Sequence, residues 1–241
     1  MVNYESAIKK PFTDIAKLII GALVSVIPVV NLISVGYALE SSGLGKTKTS
    51  KDMPEWKNIG NLFIKGLASS VIRFIYAIPA TIVFVTGAGF AVASMLNAYV
   101  GTVIPQEMIS SVMAGESSPE LITQLVSQNW HLALPTLATL GPVLLIGTAL
   151  MILAQYMAPI AVLNYLKNNR FSEALDIGTV LRKTFTMKYF TAWIIAAIVT
   201  SIATILLSLI PLIGIPIAVF VSGVMTYSMF GDVYREVKGR R

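Results

Sequence analysis

Apolar residues dominate three long stretches, 18–45, 74–166 and 189–234, in which no Lys or Arg occurs. The basic residues gather between and beyond them, from Lys9 to Lys17, Lys46 to Arg73, Lys167 to Lys188 and Arg235 to Arg241. About 20 apolar residues in a helix cross a hydrocarbon core of ~30 Å, so this pattern predicts membrane hairpins with their basic ends on one side. Cytoplasmic loops collect Lys and Arg because translocating them is unfavourable. Both termini are therefore expected in the cytoplasm, on a multi-pass protein of the cell membrane.

The last stretch offers about 69 Å of helix, enough for two crossings turning at IPLIGIP (210–216). The middle one accommodates two long spans and a base-free, extracytoplasmic loop, 101–130, with Glu107, Glu116 and Glu120. Ser118-Pro119-Glu120 reads as a helix start there, with a capping hydroxyl, Pro in the first turn and an acid at the positive end of the dipole. The first stretch is shorter: Pro11 to Gly45 gives about 52 Å. Two readings compete for it. Residues 11–27 and 29–45 form a short hairpin turning at Pro28–Asn31, partly re-entrant in one variant, which gives six helices as three hairpins. Alternatively 17–39 is a single tilted span, which gives five and puts the N-terminus outside. The one-sided cations favour the hairpin. LVSVIPVV (23–30) also resembles LLSLIPLI (206–213), and the amphipathic lead-ins pair Tyr4 with Phe171, Ala7 with Ala174 and Ile8 with Leu175, as a duplicated lead-in and hairpin would. The fold expected is all-α, a polytopic transmembrane bundle forming one integral membrane domain over 1–241, with 1–17 lying at the interface.

Composition agrees: 55% of the 241 residues are hydrophobic and 12% charged, with a mean hydropathy of +0.75. The net charge of +6 sits beside the apolar stretches, where it meets anionic lipid headgroups; it is not interleaved with aromatics as a nucleic-acid surface would be. The absence of cysteine excludes disulfides, thiolate metal sites and iron–sulfur clusters.

Candidate chemistry is sparse. Ionisable groups inside a bilayer are costly and usually functional, and here they are few. Arg73, at the inner edge of its span, is expected to snorkel to the headgroups. Trp130 and His131 read as interfacial anchors at the outer mouth; His131 has no second ligand spaced to hold a metal. Asn31, Gln155 and Asn164 are uncharged polar residues at membrane depth, suited to interhelical hydrogen bonds or to a polar pathway. Trp56, beside the inner loops, is a candidate docking point for a partner. Gly87-Ala88-Gly89 offers a smooth packing face, and Asp232 and Glu236 have Arg235 and Lys238 as ion-pair partners. Nucleophile elbow, phosphate loop and HExxH are missing, and GLGK (43–46) lacks the first glycine of a phosphate loop. Neither enzymatic activity nor a cofactor is expected.

DMPEWKNIGNLFIKGL (52–67), PVVNLISVGY (28–37), NRFSEAL (169–175) and the end from Tyr227 to Glu236, with Gly231-x-x-Tyr234, resemble a mainly archaeal family filed as domain of unknown function 4013. The Pro-containing hairpin tip, the Gly36-Tyr37 pair and the Pro54-x-Trp56 entry are among the matching features. More remotely, the layout is similar to glycerophosphodiester phosphodiesterase-associated membrane domains. The resemblance implies an integral membrane protein without assigned activity and supplies no catalytic residues. The expected function is a non-catalytic module that interacts with membrane lipids or stabilises another membrane or cytoplasmic protein. The alternative is a permease-like carrier of a small apolar or amphipathic compound.

Overall fold

A computed structural model describes residues 2–44, 52–102, 123–124 and 127–237. Every regular element named among them is helical: α1 (Tyr4–Lys9), α2 (Ile15–Val26), α3 (Asn31–Glu40), α4 (Ile59–Thr102), α5 (Leu134–Asn168), α6 (Ile177–Thr184), α7 (Met187–Ser208) and α8 (Gly214–Glu236). Short 3-10 turns cover Lys10–Phe12, Trp130–Ala133 and Phe171–Ala174. The acidic residues 107, 116 and 120 and the helix start at 118 lie outside the described residues.

Among the described residues four helices are long and apolar enough to cross a membrane: α4 over Ile59–Ala98, α5, α7 and α8. The first apolar stretch is folded as a hairpin, and its reading as one continuous tilted span is overturned. The hydroxyls of Ser25 and Ser34 lie 2.7 Å apart, whereas nine residues of straight helix would separate them by about 13 Å. Its arms hold 12 and 10 residues, about 18 and 15 Å of helix. Each is short of a ~30 Å core, so by length this hairpin does not supply two of six crossings. The reason is local. Pro28 disfavours helix in the residue before it, and Ile27 is extended (φ −88°, ψ 118°), which ends α2.

The same turn occurs twice. After Pro28, Val29 has φ 69°; the Val30 amide donates to the Pro28 carbonyl at 2.9 Å and the Asn31 amide to that of Ile27 at 2.9 Å. After Pro211, Leu212 has φ 67°, and the Ile213 and Gly214 amides donate to the Pro211 and Ile210 carbonyls at 2.8 and 3.0 Å. The echo between 23–30 and 206–213 is thus a repeated backbone conformation. Tyr37 and Phe220, each nine residues past its proline, pack together with ring centroids 5.5 Å apart.

A lead-in precedes each pair of helices, and the three share a plan. Asn3, Asn58 and Asp176 cap their helices by accepting from the amide three residues on, Ser6, Asn61 and Thr179, at 2.9, 3.4 and 3.0 Å. Four residues after the cap comes a buried apolar side chain, Ala7, Leu62 or Val180, and seven after it a buried lysine, Lys10, Lys65 or Lys183. Capping explains the helix starts, and positions four and seven after the cap share one helix face. The first and third copies agree further, since Thr13 and Thr186 each donate a hydroxyl hydrogen bond back to the lysine carbonyl, at 2.8 and 2.9 Å. This register, Lys10 with Lys183, replaces the pairing of Tyr4 with Phe171.

The chain clusters into two compact units. The first comprises 1–76 and 154–241, and α8 is its central helix: 61% of its most apolar window is buried, against 11% for α7. α8 packs on α1, α2, α3 and α7, with Tyr37, Tyr189 and Phe220 among the largest fully buried side chains. α3 and α4 meet backbone to backbone. A Cβ on Gly36 would lie 1.9 Å from the Leu62 carbonyl oxygen, and one on Gly66 1.8 Å from that of Leu32, so both positions require glycine. The second unit, 77–153, holds the rest of α4 and α5. There Gly87 faces Val143 and Gly147 faces the Phe84 ring; partner numbers fall as α4 advances, so the helices are antiparallel. Phe90, Val92, Leu144 and Leu145 are exposed, as a lipid-facing surface requires.

Candidate functional site

Two of the buried lysines, Lys10 and Lys65, converge with Arg235 at the exit of α3. Lys65 pairs with Glu40, with the side chains 6% and 7% exposed. Lys10 donates to the Ser41 carbonyl at 2.8 Å. Arg235 of α8 reaches the Ser42 and Gly43 carbonyls at 3.1 and 3.3 Å. The last carbonyls of a helix have no partner within it and carry the negative end of its dipole. Backbone amides of residues 41–43 take up the Tyr37, Leu39 and Glu40 carbonyls. Lys10 and Arg235 serve the carbonyls just past the helix, while Lys65 neutralises the Glu40 carboxylate. Burial pushes the Lys10 ammonium down to about 8, against the opposing pull of Asp232.

The third buried lysine has a different setting. Lys183 donates to Asn164 Oδ1 at 3.0 Å and to the Tyr234 hydroxyl at 2.6 Å, and lies 3.8 Å from the centroid of the Tyr234 ring. Tyr234 in turn donates to Asn164 at 2.6 Å. Burial, and after it the Lys167 charge, push Lys183 down to about 8. Asn164 thus ties α5, α6 and α8 together at their basic ends.

Trp56 is half-buried. Its ring stacks on Tyr37 at 4.0 Å and 17°, and its Nε1 donates to the Lys17 carbonyl at 3.3 Å. The Tyr37 hydroxyl donates to the Pro54 carbonyl at 2.6 Å. Lys17 completes the clasp through Asp14 at 3.3 Å and Glu55 at 2.7 Å. The hydrogen bond from its ammonium holds the Glu55 carboxyl below the usual range, and the hydrogen bond from its backbone amide does so first for Asp14. The segment 53–56 therefore straps α3 to the start of α2, and it joins two of the motifs that carry the family likeness.

Two cavities lined by described residues of this unit bear on function. The larger, about 530 Å³, is polar and is lined by Asn58, Asn61, Lys65, Lys167, Asn168 and Asn169 among others; its buried cation, Lys65, is already neutralised by Glu40. The smaller, about 210 Å³, lies between α3, α4 and α8 and has Arg73, Asn31, Ser34, Ser70 and Tyr227 in its walls, with Phe220 and Val219 as apolar lining. Arg73 donates to the Tyr227 hydroxyl, with its guanidinium 5.7 Å from the ring centroid. Among the described residues it has no carboxylate partner. A guanidinium carries five donors in a planar fork, so most of them remain for a ligand. Asn31 Oδ1 is buried without a hydrogen-bond partner, while the Ser34 hydroxyl is engaged by Ser25. Phe74, one turn on from Ser70 on α4, and the lining residue Val219 on α8 are exposed apolar side chains.

Of the residues singled out from sequence, Asn31 and Arg73 come together here. Asn164 belongs to the Lys183 cluster, and Gln155 is exposed; neither lines this cavity. Trp130 (61% exposed) and His131, also exposed, sit on the short turn that opens α5, in the second unit. Sequence reasoning missed Ser70, Tyr227 and the buried lysines. The available signal was the recurring spacing of seven residues from an Asn or Asp to a Lys. No curated protein and no solved structure matches the chain. The motifs at Gly36-Tyr37, Pro54-x-Trp56 and NRFSEAL lie inside the stretch that does match a family, residues 20–212, and the chain belongs to that family, described as a protein of unknown function (DUF4013).

Proposed function

We propose that this membrane protein is a non-catalytic lipid-interacting module, binding an amphipathic molecule at the basic rim of its helices. The observation that carries the reading is the small cavity between α3, α4 and α8. Its walls combine an arginine without an acidic partner and several uncharged polar side chains with apolar ones, and exposed apolar residues of α4 and α8 flank it. Polar and apolar groups side by side suit a molecule with a headgroup and a chain. Ligand pockets have this make-up, apolar lining with few placed polar groups. The reading takes both termini as cytoplasmic in the cell membrane, which the one-sided distribution of Lys and Arg supports.

Protein purified in mild detergent and examined by native mass spectrometry should retain lipid at about one copy per chain. Filling the cavity with Ser70→Leu should displace it. Retention unchanged by Ser70→Leu would remove the cavity from the account. A carrier reading draws on the broken α2–α3 hairpin, because interrupted helices often frame transport sites. Substrate-driven flux in liposomes would favour it over a module that only binds, as would loss of that flux on Asn31→Leu. Co-purification from native membranes tests the further expectation that the module stabilises another protein.

A further inference from the structure

We infer that the cavity between α3, α4 and α8 recognises a phosphoryl anion carried by a lipid, with Arg73 as its counter-ion. This deepens the lipid-binding reading and rests on it. Arg73 is exposed at the basic rim, within reach of lipid headgroups. Its partner among the described residues, Tyr227, is an uncharged hydroxyl, so its charge is left to an anion from outside the protein. The remaining donors form the fork that matches phosphate oxygens in a bidentate way. Ser70 adds a hydroxyl to the same walls, and Asn31 adds an amide whose Oδ1 lacks a donor; a headgroup hydroxyl would supply one. The volume, about 210 Å³, is below the ~300–1,000 Å³ of sites that enclose drug-sized ligands. It fits a headgroup whose chains stay outside. Phe74, one turn on from Ser70 on α4, and Val219, in the wall on α8, are exposed and are where those chains would run. That is also why the anion is assigned to a lipid and not to a soluble phosphate.

The decisive comparison uses the full chain in detergent, titrated separately with phosphatidylglycerol, diacylglycerol and inorganic phosphate. Wild type should bind phosphatidylglycerol at least tenfold more tightly than diacylglycerol, and inorganic phosphate weakly. Arg73→Gln should lose about tenfold toward phosphatidylglycerol, the loss expected for a charge-assisted hydrogen-bonded contact, and leave diacylglycerol unchanged. Arg73→Lys keeps the charge without the fork and should fall between. If Arg73→Gln fails to fold, Arg73→Lys and Ser70→Ala decide the matter, each with a severalfold loss confined to phosphatidylglycerol. Equal binding of phosphatidylglycerol by wild type and these variants overturns the inference. Inorganic phosphate bound as tightly as phosphatidylglycerol overturns its lipid half. Equal affinity for phosphatidylglycerol and diacylglycerol leaves the lipid-binding module standing and removes the anion site. A wild type that binds neither lipid takes down both.

Discussion

The hairpins α2–α3 and α7–α8 share a turn and differ in reach. Both turn at an Ile-Pro pair followed by a residue with φ near +70°, and both follow a capped helix ending in a buried lysine. Yet α2 has 12 residues where α7 has 22, and α3 has 10 where α8 has 23. The turn is therefore written locally, in a few residues, while depth is written in arm length. Ten residues are about 15 Å of helix, half a hydrocarbon core, and they separate an arm that can cross from one that cannot.

The largest expected effect is all-or-none. The chain has no cysteine, so single cysteines report cleanly at the two tips, Val29 (68% exposed) and Leu212 (99%). Leu212→Cys should react with a membrane-impermeant maleimide added on the side opposite the termini, and Val29→Cys should not. Labelling of both from that side would restore the first hairpin to a full crossing. Next come the lysines. Lys65→Met removes the cation of a buried ion pair and should cost about 3–5 kcal/mol. Lys10→Met, which leaves the Ser41 carbonyl with the 3.3 Å hydrogen bond from the Ser228 hydroxyl, should cost about 0.5–1.5 kcal/mol. Equal costs, measured by chemical denaturation in detergent, would mean that the three copies carry equivalent latches.

A pH series comes third. The folded chain releases the Lys10 and Lys183 protons near 8, whereas the unfolded chain holds them up to the ordinary lysine value of 10.5. Between those values the unfolded state binds more protons, so stability should rise with pH. From pH 7.5 to 9.5 the gain should be about 1–2 kcal/mol per lysine. The melting temperature should follow, and Lys10→Met with Lys183→Met should flatten the slope; a wild-type slope that survives both substitutions would assign it elsewhere. The smallest effect tests the turn itself. Left-handed backbone costs a non-glycine residue about 1–2 kcal/mol, so Val29→Gly and Leu212→Gly should each stabilise by up to about 1 kcal/mol after the entropy of the extra glycine. Destabilisation at either tip would show that its side chain holds the turn.

Much of this fold was legible in the chain. The four long helices follow from apolar length, and both hairpin turns follow from Pro28 and Pro211, because proline acts on its immediate neighbours. The depth of the first hairpin was harder to read, because a 12-residue arm and a crossing arm look alike in hydropathy. The buried lysines were hidden for a different reason. Lysine is seldom fully buried unless paired, and the acceptors that make it tolerable at 10, 65 and 183 arrive from α3, α5 and α8, far along the chain. Arg73 illustrates the same limit. Snorkelling accounts for one arginine at a membrane edge, but its contact with Tyr227, 154 residues away, exists only once α4 and α8 are side by side.

The touching backbones of α3 and α4 bear on how the anion cavity could adapt to what enters it. With Gly36 and Gly66 against carbonyls, no cushion of side chains separates those helices, and they can slide along each other more readily than they can part. The wall that carries Asn31, Ser70 and Arg73 is therefore stiff. The opposite wall, on α8, meets the Ala38 side chain at Gly223 and touches backbone only farther on, at Gly231 beside the Ser42 carbonyl, so its give lies at the Gly223 end. Accommodation of a bulkier headgroup would fall to α8, and the geometry around the guanidinium would stay as it is.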